Sequence, residues 1–447
     1  MGAGLLRNAS TPQKLTRIDQ STLNTVLAAQ ADYIAKGRGM PADLSFHDLS
    51  GMDLCGRDLT SVNFIGANLT DATLNGTKLC GARLKGATLR LARLEAADLS
   101  NADLRGASLQ GTVLTDARLR FADMREGIYY RFQENGEPVS QNSDVVPTEM
   151  IAATLCHADL SGAKISKGRA MQANLQDSVL HDTLLDGADL RGANFEGADL
   201  EGTDLAHADL TDVSLRGAVL RHTQLGGATL KNTDFAGCVI DNSQLAAGAG
   251  TKNLPIRSEK TLAELPALIA RHEEWLKSNG ALGRRLELSN LDLSGCHFEH
   301  VDLSGARLIN CKLTAADFTG AKLRLVDFSL SNLERANLQK TDLRAAILKR
   351  VFCRNANLKN ANFAQVGAQS SSDRNIAANL QYGRFQESDF SNCNLTGANM
   401  TRCNLTGTIF TGANLAGAQL LNAIACEDAY TQIEAAGGVV SEIRLAD

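Results

Sequence analysis

Rings and prolines are scarce in this sequence. Aromatic residues make up 4% of its 447 positions, with one Trp and six Pro. A globular core of this size ordinarily uses more rings, so something smaller must fill the interior. No stretch approaches the roughly 18 consecutive apolar residues of a membrane-spanning helix. The opening MGAGLLRNASTPQ has no apolar run of the secretory kind, and Leu6 stands where a myristoylation signal needs Ser or Thr. There is no excess of positive charge either. The formal net charge is −5, which argues against direct nucleic-acid binding. The ten Cys form no CxxC pair, so they are read as reduced thiols of a cytoplasmic protein.

What the sequence has is a period of five. A large apolar residue recurs at every fifth position from Leu44 to Met124, from Leu155 to Leu245, from Leu288 to Phe363 and from Leu380 to Leu420. These runs hold 61 centres, and only Ala170 and Cys353 depart from Leu, Phe, Ile or Met. Two places before the centre stands a small residue, such as Ala67, Ala87 or Ala102. Asp or Asn often lies between them (Asn68, Asp98, Asp103), and Gly closes many units (Gly66, Gly86, Gly106). The unit is therefore A-(D/N)-L-x-G.

Five matches neither the 3.6 of a helix nor the 2 of a strand. It suits a chain that turns a corner every five residues with both apolar positions inward. Four sides make a square coil of 20 residues, whose coils would stack at about 4.8 Å, the spacing of paired strands. The quintets resemble the bacterial pentapeptide-repeat family over more than two thirds of the chain. The resemblance implies an all-β, right-handed quadrilateral β-helix with four quintets per coil.

A 20-residue coil places residues 20 apart side by side, where opposite charges should alternate. Asp58, Lys78, Asp98 and Arg118 do so, as do Asp302, Lys322 and Asp342. Asp189 beside Asp209 and Arg324 beside Arg344 break the pattern.

LNTVLAAQADYI from Leu23 aligns without gaps to LPALIARHEEWL from Leu265, each with one apolar helical stripe. The chain thus reads as two modules. Residues 1–18 form an extended or disordered start. Module one, 19–250, has a helix at 21–36, quintets at 42–126, a hairpin insertion at 125–151 and quintets at 153–247. A flexible linker covers 251–257. Module two, 258–447, has a helix at 264–279, begun near Glu264 because Pro266 suits only a first turn. Quintets follow at 286–365 and 378–422, separated by a polar loop at 364–379, with a C-terminal cap at 423–447. Within that cap, 427–436 reads as a helix and 439–445 as a strand. The helices are expected to cover the open ends of the coils; a partner-binding role is the alternative. For the C-terminal cap the alternative is a homodimer contact, since members of the family can pair through that end.

No phosphate loop, dinucleotide fingerprint, HExxH or GxSxG occurs. Cys296, His297, His300 and Cys311 lie close in sequence, but Cys296 and Cys311 occupy the small inward slot and are expected to act as larger alanines. The sequence therefore offers no catalytic residue, no cofactor and no metal. Two features stand out for partners. Tyr129, Tyr130 and Phe132 cluster on the hairpin, whose tip is Asn135-Gly136. Residues 176–213 carry ten acids, among them Asp186, Asp189, Asp199 and Asp209, against Arg191 alone. Residues 78–93 and 344–359 carry five bases each and no acid. These surfaces point to a non-enzymatic, cytoplasmic scaffold for protein partners, without membrane or direct nucleic-acid contact. The family resemblance adds a second reading, a DNA mimic that regulates or protects a type II topoisomerase such as gyrase.

Overall fold

In the computed structural model, residues 15–37, 39–130, 145–240, 252–366 and 376–446 are described. They fall into two compact units, Met1–Asp234 with Ile240–Thr251, and Phe235–Val239 with Lys252–Asp447.

In the first unit each quintet forms one short side of a coil and pairs in parallel with the quintet 20 residues on. Asp43, Asn63, Arg83, Asp103 and Asp123 climb one side in this way. The Leu49 N–H donates to the Asn68 carbonyl at 2.8 Å, and the Asn68 N–H donates to His47 at 2.9 Å. The backbone is thus paired without any long strand.

At each corner the chain closes a tight turn, as where the Met52 N–H donates to the Leu49 carbonyl at 3.1 Å. The turn's third residue must take a positive φ, which explains Gly there; Gly51 sits at φ 70°. Leu91 and Asn101 adopt φ 58° and 59° at equivalent corners, so stacking overrides local preference. The Asp/Asn position serves the same corner. Its side chain accepts the N–H two residues on, as Asp98 does from Ser100 at 2.9 Å and Asn68 from Thr70 at 3.1 Å.

The centres and the small residues fill the interior: Leu99, Leu119, Ala97 and Ala117 are all buried. Each large side chain so buried contributes roughly 1.5–3 kcal/mol. Where Thr replaces Ala, its hydroxyl is not orphaned. Thr203 donates to the Leu180 carbonyl at 2.6 Å and Thr183 to Leu160 at 2.9 Å. The second unit uses more rings; Phe298 and Phe318 stack at 4.8 Å between centroids, one coil apart.

The insertions keep this register. Ser108 pairs with Glu149, 41 positions on, so 21 residues are added to that coil. Ile347 pairs with Asn379, 32 positions on, so 12 are added to the later one. The hairpin is accordingly shorter than expected. Thr148, Glu149 and Met150 already belong to the coil: Met150 is buried as a centre, and the Thr148 hydroxyl donates to the Leu104 carbonyl at 3.1 Å.

Helix α1, Gln20–Lys36, starts at Asp19, whose carboxylate accepts the Thr22 N–H at 2.7 Å, and ends at Gly37 with φ 60°. Helix α2 spans Glu259–Lys277, so its expected start near Glu264 is a turn too late. Ser258 caps it, and Pro266 lies inside it. An interior proline costs about 3 kcal/mol. Packing of Leu262, Leu265, Leu268 and Ile269 against the core offsets that cost. The expected flexible linker is also tied down over 252–257. The Ile256 N–H donates to Asn290 at 3.0 Å, and its carbonyl receives the Asp292 N–H at 2.8 Å. Moreover Phe235–Val239, expected in module one, cluster with the second unit.

Helix α3, Glu427–Ala435, closes the last coil by burying Ala429 and Ile433. The Gln432 side chain accepts the Phe410 N–H at 2.8 Å, and the Ala436 carbonyl accepts that of Leu415 at 2.8 Å. The final strand is only Arg444–Leu445, parallel to Ile424–Ala425, where 439–445 was expected.

Candidate interaction surfaces

The hairpin grows out of a corner because Gly127–Ile128 pairs antiparallel with Val145–Val146. From there residues 127–130 run back over a row of corner glycines. A Cβ on Gly106 would lie 2.6 Å from the Gly127 carbonyl carbon, and one on Gly86 would lie 2.3 Å from the Ile128 oxygen. On Gly66 it would meet Phe46 at 2.5 Å and Tyr130 at 3.1 Å. Here glycine is required by close approach as well as by φ. The Tyr130 ring meets Phe46 edge-on at 5.0 Å, and burial pushes its phenol pKa above the ordinary value. Tyr130 is thus seated on the coil wall, while Tyr129 is half-buried. Phe132 and the Asn135-Gly136 tip lie outside the described residues.

The acids do not form one site. Asp189 and Asp209 are neighbours on one side of the first unit's coils. Their expected repulsion is relieved by Arg191, 2.7 Å from Asp189 and 3.8 Å from Asp209. The Arg191 guanidinium holds the Asp189 carboxyl below its ordinary pKa. Asp342 likewise joins Arg324 and Arg344, at 2.5 and 2.7 Å. Asp199 lies on a different side, in line with Val179 and Val219, and pairs with His181 at 3.3 Å. His181, Asp199 and Glu201 bring imidazole and carboxylate atoms within 4.8 Å of one another, a donor set that could share a cation. Asp186 stands half-buried at a corner.

The basic stretches are also partly neutralised from adjacent coils. Lys78 lies 3.6 Å from Asp58, Arg354 lies 2.9 Å from Glu387, and Lys359 lies 3.0 Å from Asp389. Arg350 stacks over Tyr382 at 4.6 Å. His297 faces Glu299 at 2.9 Å, while the Cys311 thiol is buried and pushed up to about 12 by that burial. Cys393 and Cys403 are likewise pushed up to about 12 by burial, so these thiols act as small core groups. Among the described residues, no helix is long and apolar enough to cross a membrane.

Short parallel sides, corners every five residues and a Leu-filled square interior define a right-handed quadrilateral β-helix. The chain belongs to the pentapeptide-repeat family. The family model described as "Pentapeptide repeats (8 copies)" matches overlapping segments over 42–127, 173–212, 214–246, 292–365 and 376–424. No curated protein matches the chain. Among solved structures, it is similar to HetL, a pentapeptide repeat protein involved in heterocyst differentiation regulation from the cyanobacterium Nostoc sp. strain PCC 7120. That likeness is 22% identity over 74% of this chain and 90% of HetL, with a TM-score of 0.21. Rfr23 from the cyanobacterium Cyanothece 51142 is 29% identical over 30% of this chain and 91% of its own, with a TM-score of 0.23. QnrB1, a plasmid-mediated fluoroquinolone resistance protein, is 20% identical over 50% of this chain and 96% of its own, with a TM-score of 0.22.

Proposed function

We propose that this protein is a non-enzymatic cytoplasmic adaptor that docks protein partners on its coil walls. The observation that carries this reading is the fixed outward display. Corners and Asp/Asn positions recur every five residues and are held by cross-coil hydrogen bonds, so surface groups sit at set separations. The hairpin base adds aromatic surface on one corner, seated on glycines that exclude any larger residue.

A second reading rests on the ten acids of 176–213 against Arg191 alone. Such a belt could imitate DNA toward a type II topoisomerase. The distribution of Asp189 and Asp199 over different sides, and the Asp189–Arg191–Asp209 network, weigh against a continuous phosphate-like stripe. Direct titration of purified gyrase separates the two. Binding that weakens steeply with salt and vanishes when Asp186, Asp189, Asp199 and Asp209 become Asn supports mimicry. No binding leaves the adaptor reading in place.

A further inference from the structure

Each of the two helices that open a unit carries one fully buried polar side chain, and the two occupy the same place. Gln30 in α1 is 1% exposed and His272 in α2 is 0% exposed. The aligned helical stretches put them in register, with Tyr33 matching Trp275 three residues on. Gln30 accepts the Ala42 N–H at 2.7 Å, and His272 Nδ1 accepts the Leu286 N–H at 3.1 Å. Ala42 and Leu286 are equivalent, since Asn63 donates to the carbonyl of the first and Arg307 to that of the second. On its other side Gln30 donates to the Thr60 carbonyl at 3.0 Å. Beside His272 the equivalent carbonyl is that of Ser304, with that of Leu303 next to it; both face the ring, though Nε2 makes no hydrogen bond of ordinary geometry among the described residues.

One latch has therefore been built twice, once with an amide that never titrates and once with an imidazole that does. To accept from Leu286, Nδ1 must be unprotonated, so the proton of the neutral ring sits on Nε2. A second proton would set an N–H against the Leu286 N–H, and the latch would have to open. We propose that His272 makes the α2 cap of the second unit an acid-released latch, while the Gln30 latch of α1 is insensitive to pH.

The surroundings fit this reading. Burial disfavours the charged ring most strongly; the Asp302 carboxylate favours it and the Arg285 guanidinium opposes it. The backbone carbonyls of Ser304 and Leu303 also favour the charged ring, less strongly than burial opposes it, and the Trp275 ring stacks at 5.6 Å. The folded ring holds its proton less readily than an unfolded histidine, whose ordinary pKa is 6.5. The latch is therefore fully closed above that value and loses hold as pH falls toward the folded one. In that window the open-to-closed ratio rises by up to about tenfold per pH unit. Opening would bare the edge strand Glu287–Ser289 and the apolar stripe of Leu265, Leu268 and Ile269.

The test is amide hydrogen exchange on the full chain between pH 7 and 5, corrected for intrinsic exchange. The α2 amides and that of Leu286 should lose protection by about tenfold or more, and the α1 amides should not. His272→Gln should abolish the effect in α2, and Gln30→His should transfer it to α1. Equal pH responses of α1 and α2 in the unmodified protein would overturn the proposal. So would an unchanged response after His272→Gln. Should His272→Gln fail to fold, the Gln30→His arm decides: no acquired pH response in α1 would overturn the proposal equally.

Discussion

Gly86 and Gly76 are both corner glycines, at φ 64° and 62°, and an alanine at either must adopt a left-handed backbone. That requirement costs about 1–2 kcal/mol per residue and is common to both. The two differ in what a Cβ would meet. At Gly76 nothing lies within 4 Å, whereas at Gly86 the Ile128 oxygen would stand at 2.3 Å and Tyr130 carbons at 2.7 and 2.9 Å. Overpacking of that kind costs typically 1–3 kcal/mol. The hairpin base is the part that can yield, since it lies on the wall and not within the coil ladder. Gly86→Ala should therefore lift residues 127–130 and break the Tyr130–Phe46 contact, leaving the coils intact. At about 1.4 kcal/mol per factor of ten, amide exchange at 127–130 and 145–146 should accelerate roughly five- to 150-fold beyond the Gly76→Ala control. Thermal melting should move about equally for both variants. If both variants change exchange at the hairpin base to the same extent, the seating of the insertion on the glycine row is wrong.

Leu200→Asp should abolish the folded first unit, because Leu200 is 0% exposed and a carboxylate there has no partner; a native melt and normal solubility would refute the inward assignment. Thr203→Val keeps the shape but removes the donor to Leu180, and should lower stability by about 0.5–1.5 kcal/mol in a urea titration. In native-state alkylation followed by mass spectrometry, Cys55, which is exposed, should be labelled well before the buried Cys353, Cys393 and Cys403. Labelling of Cys403 at the rate of Cys55 would contradict its place in the core.

The coil was legible because its period is short and its interior admits one large residue per side. Leu44 to Met124 could be placed inward by counting alone, and Ala67 or Ala102 could be paired with them. Counting failed where contacts leave the 20-residue ladder. Arg191 reaches Asp189 two residues back and Asp209 18 residues on, so Asp189 beside Asp209 looked like a conflict when only residues 20 apart were compared. Met150 stands five residues before Leu155 and in phase with that run, but the polar and β-prone residues just before it drew the Thr148–Met150 side into the insertion. Pro266 misplaced the start of α2 because a local penalty was weighed without the packing of Leu262. Tyr129, Tyr130 and Phe132 could be picked out by composition. That Tyr130 lies down on Gly66 and Gly86 depends on the path of the insertion, which no pattern records. Gln30 and His272 went unnoticed because matching apolar positions in the two helices gives no weight to a polar residue in the buried stripe.

The adaptor reading is tested most directly by affinity capture from host extract, comparing the unmodified chain with Leu200→Asp and with the Asn variant of Asp186, Asp189, Asp199 and Asp209. The account predicts a protein partner that survives a moderate-salt wash, is retained by the Asn variant, and is lost when Leu200→Asp unfolds the first unit. Recovery of gyrase or topoisomerase IV subunits, lost from the Asn variant, would contradict it and establish the acidic belt as the working surface.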